Sequence, residues 1–300
     1  MLHAALALPA LARAQPTPGR AELRTELRIV LPEDGAATRR VLEALRERHP
    51  NAVAAQDVMV LAARPGPALY IAPGPASLAA ALAGGVRGAL VSLFTSRTEY
   101  ERILANAPRG RGVTTGITAI YAEASPASQM RLVAALYRRR VSVLALLSRA
   151  TTGLEKTLRD AATAAGLTLV VEDVAPDENV LRVINAAAPF AALLTLPDRA
   201  IYTQENLRAV LESTYRRGRA VIGFSTGMVT AGTLAAAYAS IEDTLAHLDE
   251  LLPALEAGRV PEAQYPRYWR VALNENVARS LGIVIDQEVS GLGARPPGGR

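Results

Sequence analysis

Three hundred residues, 50% of them apolar but only 4% aromatic, are too many for one ordinary core and suit two α/β lobes packed from Ala, Val, Leu and Ile. The formal charge of +5 comes almost wholly from arginine, with Lys156 the single lysine. These arginines are dispersed, and the groups Arg138-Arg139-Arg140 and Arg216-Arg217-Arg219 fall at predicted helix ends, so nucleic acid is not an expected partner.

The chain has no cysteine, which excludes disulfides, zinc–thiolate sites, a thiol nucleophile and a lipid-bearing cysteine anchor. Residues Ala4 to Leu11 form a short apolar run before Ala12-Arg13-Ala14, the small-x-small pattern of a signal peptidase site. A signal peptide over residues 1–14 and a periplasmic chain without a lipid anchor are therefore expected. No later run reaches the roughly 18 apolar residues of a membrane span.

From there short apolar runs alternate with amphipathic stretches, the pattern of parallel sheets covered by helices. Strands are expected at Leu27 to Leu31, Val58 to Ala62, Ala68 to Ala72 and Ala89 to Phe94, with helices at Ala36 to Arg48, Ala76 to Leu82 and Arg97 to Ala105. The glycine-rich stretch Arg109 to Gly116 is expected to cross between lobes. Ser125-Pro126 then pairs a hydroxyl N-cap with proline at the first helical position. Strands at Val141 to Leu147, Leu167 to Asp173, Ala191 to Leu196 and Ala220 to Phe224 form a second series, with helices at Glu178 to Ala187 and Gln204 to Arg217. The leucines at 245, 248, 252 and 255 mark a strong helical stripe. Val271 to Leu273 reads as a last strand, and residues 289–300 as a disordered tail rich in Gly, Pro and Arg.

The string Gly223-Phe224-Ser225-Thr226-Gly227 has the form of a nucleophile elbow. A serine hydrolase would then need a histidine on a later loop, and the candidate, His247, lies within the leucine-striped helix instead. Gly110, Gly112 and Gly116 are misspaced for a dinucleotide fingerprint, and the three histidines lie far apart, so neither a cofactor nor a metal is expected. What recurs is a set of small polar residues after strands, where open α/β sheets take their ligands. Candidate ligand contacts are Thr114, Thr115 and Gly116 in the first lobe and Ser148, Thr151, Asp198 and Ser225 in the second. Each also reads as an ordinary cap. Asp198 in particular either receives a ligand ammonium or caps the turn after Pro197, and Tyr202 or Tyr238 would supply a flat apolar wall.

Several segments carry a resemblance. Val113-Thr114-Thr115-Gly116-Ile117, Leu196-Pro197-Asp198, Val221 to Gly232, Ala257-Gly258 with Pro261, and Asn274 to Ala278 with Leu281-Gly282-Ile283 resemble, in that order, blocks of the ABC-transporter substrate-binding proteins that include tryptophan- and tyrosine-binding members. The resemblance covers roughly Arg109 to Ile283; Ala220 and Thr244 to His247 depart from it. It implies the type I periplasmic-binding-protein architecture, two Rossmann-like α/β lobes with parallel sheets. Residues 26–117 and 234–265 would form the first lobe, and 118–233 and 266–288 the second. It implies a monomer without catalytic groups that carries a small molecule, an amino acid or similar, to a membrane permease. A ligand-sensing subunit docking on a membrane sensor, and a serine hydrolase, are the other readings. On export, amino-terminal sequencing of the periplasmic protein is expected to start near Gln15, whereas an intact Met1 in the cytoplasm would contradict it.

Overall fold

The computed structural model describes residues 25–33, 35–107 and 114–297; the expected signal peptide and the stretch 109–113 lie outside the described residues. In chain order the elements are β1 Glu26–Val30, α1 Ala36–Arg48, β2 Val53–Ala55, α2 Val58–Ala62, β3 Ala68–Pro73, α3 Pro75–Gly84, β4 Gly88–Thr95, α4 Arg97–Ala105, β5 Thr114–Tyr121 and α5 Pro126–Tyr137. There follow β6 Ser142–Leu147, α6 Glu155–Ala164, β7 Thr168–Asp173, α7 Val180–Ala186, β8 Ala192–Leu194, α8 Gln204–Tyr215, β9 Ala220–Gly223 and α9 Thr226–Ala231. The last elements are β10 Ala235–Tyr238, α10 Ile241–Glu256, β11 Arg270–Leu273, α11 Glu275–Ser280 and α12 Gln287–Ser290.

Two sheets result. The first has the order β2-β1-β3-β4-β5 with every pair parallel. The second has the order β11-β10-β9-β8-β6-β7, parallel except for β11. Parallel strands joined by helices are covered on both faces, so their sequences run almost continuously apolar. Successive residues then feed opposite layers: Leu27, Ile29 and Leu31 join the leucines of α10 and the inner face of α1, whereas Val30 packs with α2, α3 and α4. In the second sheet Val143, Ala145 and Leu147 meet α5 and α6, while Leu144 and Leu146 meet α7 and α8.

Four sequence expectations change. Val58 to Ala62 is a helix, because Asp57 caps it through the Met59 amide at 2.8 Å and burial falls on Val58 and Leu61, three apart, leaving Met59 and Val60 exposed. The crossing expected at 109–116 comes after β5 instead, at 122–125, since Gly116 continues the β4 ladder opposite Ala89. Residues 235–238 belong to the second sheet as β10, so the return to the first lobe starts with α10 rather than at Leu234. The tail is held as far as the description reaches: Val289 is fully buried, and Ala294 exchanges two backbone hydrogen bonds with Trp269.

The return is anchored electrostatically. Asp243, fully buried in the first turn of α10, closes a reciprocal capping box with Ser240 and accepts a two-pronged pair from Arg270 of β11 at 2.7 and 3.0 Å. Burial pushes this carboxyl up, but the hydrogen bonds from Arg270 and the Ser240 amide outweigh it and hold the group below its ordinary value. Asp243→Ala should therefore cost about 3 kcal/mol in urea unfolding, the loss of a cap plus an uncompensated guanidinium. As a depressed carboxyl, Asp243 should contribute fully above about pH 5 and lose its contribution on acidification. A variant as stable as the parent chain at pH 7 would contradict this anchoring.

Candidate functional site

The end of β5 in the first sheet meets the end of β10 in the second. The segment leaving β5 pairs at Glu123 with Tyr238, the last residue of β10, in an antiparallel bridge. The returning chain lies beside the end of β5, where Tyr121 donates to the Gln264 carbonyl at 2.9 Å. A narrow cleft opens here, lined by Glu123, Ala124 and Gln129 at the crossing, by Leu196, Pro197 and Phe224 at strand tips of the second sheet, and by Tyr265 on the return. Strand carboxyl ends are where open α/β sheets place ligands.

The first-lobe wall is aromatic and charged. Tyr265 stacks edge-on against Tyr121 with ring centres 5.1 Å apart, and Tyr121 against Tyr100 at 5.8 Å. Arg97 opens α4, with its guanidinium paired to Glu101 at 2.8 Å and its backbone amide donating to Glu123 Oε1 at 3.0 Å. Glu123 itself is only 7% exposed, and its Oε2 has no hydrogen-bond partner. Burial raises its carboxyl to about 7, against the lowering effect of the Arg97 amide and charge. Beside it Gln129 is spent on structure, its side-chain amide donating to the Ala237 carbonyl and accepting from the Ala237 amide.

The residues expected from sequence divide into groups. Ser148, Thr151 and Asp198 do come together. Both hydroxyls donate to Asp198 Oδ2, at 2.6 and 2.9 Å, and the Ala200 amide donates to Oδ1 at 2.9 Å. Thr151 Oγ1 also accepts from the Ser148 amide. Asp198 is only 4% exposed, and these hydrogen bonds, all within the lobe, cap the turn after Pro197. Ser225 is the N-cap of α9, accepting from the Met228 amide at 3.3 Å. The Nδ1 of His247 accepts from the Arg267 amide in the hinge. Gly223 owes its presence to packing, since a Cβ there would stand 2.8 Å from that of Met228.

The remaining candidates separate further. Tyr202 packs into the second lobe's core beside Val210 and Val221, and burial together with the Asp198 charge raises its phenol. Tyr238, half-buried, sits at the crossing opposite Glu123. Gly116 stands near the start of β5, at the far end of the sheet, where Val260 crowds its α-carbon. The side chains of Thr114 and Thr115 lie outside the described residues.

The acid of the cleft, Glu123, went unread in the sequence. Glu123 carries a signal there, an acid within the apolar run Ile120 to Ala124 directly before the Ser125-Pro126 helix start. Elsewhere in the first lobe Phe94, the residue before the last of β4, stands beside a register shift at φ 57°, a left-handed conformation that is strained for a bulky residue.

Comparison with solved structures points one way. No protein-family profile and no curated protein sequence matches the chain. The ligand-free, open structure of a substrate binding protein with adhesive properties from Clostridium difficile is similar, with a TM-score of 0.61 at 16% identity over 89% of this chain and 97% of that one. An ABC domain in complex with L-Trp from Streptococcus pneumonia follows the chain with a TM-score of 0.55, at 15% identity over 88% and 97%. An arabinose binding protein from Geobacillus stearothermophilus gives 0.50, at 12% identity over 85% and 99%. At these identities the likeness is one of fold.

The closed polar network makes a separate forecast. Asp198→Ala would leave two buried hydroxyls and an amide without their acceptor, and should lower unfolding stability by about 2 to 4 kcal/mol. Thermal and urea midpoints measured on ligand-free protein check it, and unchanged midpoints would remove Asp198 from the architecture of the turn.

Proposed function

We propose that this chain, whose fold is that of the type I periplasmic binding proteins, captures a small molecule between its lobes and performs no chemistry on it. The observation that carries the reading is the cleft between facing strand ends. One wall holds a buried carboxylate oxygen with no partner, and the opposite wall is apolar apart from Thr195, whose hydroxyl donates to the Ile222 carbonyl. A site with one charged group above an apolar surface selects and orients a ligand. A reactive group is harder to find: Ser225 is occupied as a helix cap and His247 as an acceptor for the hinge backbone.

The L-Trp complex among the similar structures supports an amino acid or similar cargo. Two lobes joined by three short crossings suit closure around a ligand, which a membrane permease of an ABC transporter would then read as the loaded form. A sensor partner would read the same closed form, and neighbouring genes for a permease and an ATPase would decide for transport.

Binding should occur with a stoichiometry of one. Native mass spectrometry of freshly purified protein is expected to show a co-purifying small molecule, displaced on dialysis. Adding it back at a hundred times Kd should stabilise the fold by about 2.7 kcal/mol. Two equivalents bound per chain, or a ligand retained after the cleft is blocked by Ala124→Trp, would move the site elsewhere.

A further inference from the structure

We propose that a basic pole of the second lobe, at the amino-terminal ends of β6 to β9, adsorbs to a bilayer that carries anionic lipid, with Val284 at its edge entering the headgroup layer. This pole lies at the other end of the strands from Leu196 and Phe224 of the cleft.

Two arginine groups that are far apart in the sequence meet in the fold. Arg138, Arg139 and Arg140 lead from α5 into β6, and Arg216, Arg217 and Arg219 lead from α8 into β9. The starts of four parallel strands are linked there in a row: the Thr168 amide donates to the Val141 carbonyl, the Ala191 amide to that of Ser142, and the Ala220 amide to that of Ala191. Tyr137, at the end of α5, joins the row by donating its hydroxyl to the Ala191 carbonyl at 2.8 Å. Only β8 separates β6 from β9, and two strand spacings are about 10 Å, so both groups share one surface. Five of the six arginines are exposed, and Arg219 lies over the Phe190 ring at 4.2 Å. Among the described residues the acids paired with any of them are Asp286 and Glu288, both on Arg138. The turns at 165–167 and 187–191 hold only Ala, Gly, Leu, Pro and Phe. A helix end favours a nearby cation, but three arginines at each of two adjacent ends exceed what the dipoles stabilise, and they repel one another until an anionic partner arrives.

The shape of the pole selects among anions. Contacts of the arginines diverge, Arg138 toward Asp286, Arg140 toward Thr168 and Arg219 toward Phe190, so they do not converge on one small ion. The connections at this pole are no longer than five residues, which leaves no projecting helix to enter a duplex groove. Phe190 is 6% exposed beneath Arg219 and offers no face on which a single-stranded base could stack. Val284 points to lipid. It is 69% exposed, one of three large apolar side chains so exposed among the described residues, and it stands two residues before Asp286, the partner of Arg138. Basic residues beside an exposed apolar side chain suit the interface of an anionic bilayer, where guanidinium forks meet lipid phosphates.

The test is co-sedimentation of the full chain with vesicles of phosphatidylglycerol and phosphatidylethanolamine, against neutral vesicles of phosphatidylcholine and phosphatidylethanolamine. Adsorption to the anionic vesicles alone is expected, falling steeply with added salt. Each arginine near such a surface contributes about fivefold to partitioning, so replacing Arg139, Arg216 and Arg217 together by glutamine should weaken adsorption about a hundredfold. Replacing the same three by lysine should largely preserve it. Glutamine at Arg40, Arg46 and Arg259, exposed residues outside the second lobe, removes equal net charge and should cost only a few-fold. Val284→Ser should weaken adsorption several-fold with the salt dependence kept. Equal loss in the two glutamine variants would place the effect on net charge and overturn the pole. Equal adsorption to neutral vesicles, or none to anionic ones, overturns the proposal outright. Adsorption unchanged in Val284→Ser, or abolished by inorganic phosphate or duplex DNA at matched ionic strength, overturns the bilayer as the partner. Should the glutamine variant of the pole fail to fold, the salt series on the unsubstituted chain decides, and adsorption indifferent to salt counts against the proposal.

Discussion

A single buried carboxylate ties together the parts that make two lobes into one molecule. Asp243 closes the first turn of α10 by its capping box and takes the fork of Arg270 from β11. Because α10 lines the first lobe's core and β11 is the antiparallel edge of the second sheet, this ion pair spans the joint. Around it the hinge is stitched by weaker ties: Glu250 bonds to both Arg267 and Tyr268, and His247 accepts from the Arg267 amide. A fully desolvated carboxylate tolerates only a good partner geometry, so the start of α10 and the register of β11 are set together. That register in turn leaves Tyr238, at the end of β10, opposite Glu123.

Polar groups at the facing strand ends fall into two kinds. Ser148, Thr151 and Asp198 form a closed set, as do Gln129 and the backbone of Ala237. Such saturated networks hold loop tips rigid and add no affinity for an outside donor. Glu123 is the exception, half satisfied and half open. A rigid rim around one unsatisfied group costs little to order when a ligand arrives, and preorganisation of this sort turns contacts into affinity.

Much of the architecture was legible in the sequence because it rests on short-range pattern. Strand runs such as Val141 to Leu147, the Ser125-Pro126 start and the leucine stripe of α10 each carry their own period or cap, and the structure places elements at all three. The exceptions also follow from local physics. The run Val58 to Ala62 is as β-branched as a strand, but Asp57 caps it as a helix. Ala235–Tyr238 is four residues that read as strand only once β9 and β11 flank them.

The polar residues were a different matter. By itself the sequence determined that two covered parallel sheets would form, without disulfides or thiol chemistry, and that polar residues would gather where strands end. Only tertiary structure decided which of them stay open. Asp198 and Glu123 are both acids at strand ends, but two hydroxyls and an amide converge on the first, while the second is sealed between lobes with one oxygen unmatched. Saturation depends on donors brought in from 47 and 50 residues away, and burial depends on how one lobe meets the other. Neither quantity is a property of the residue or of its neighbours in the chain.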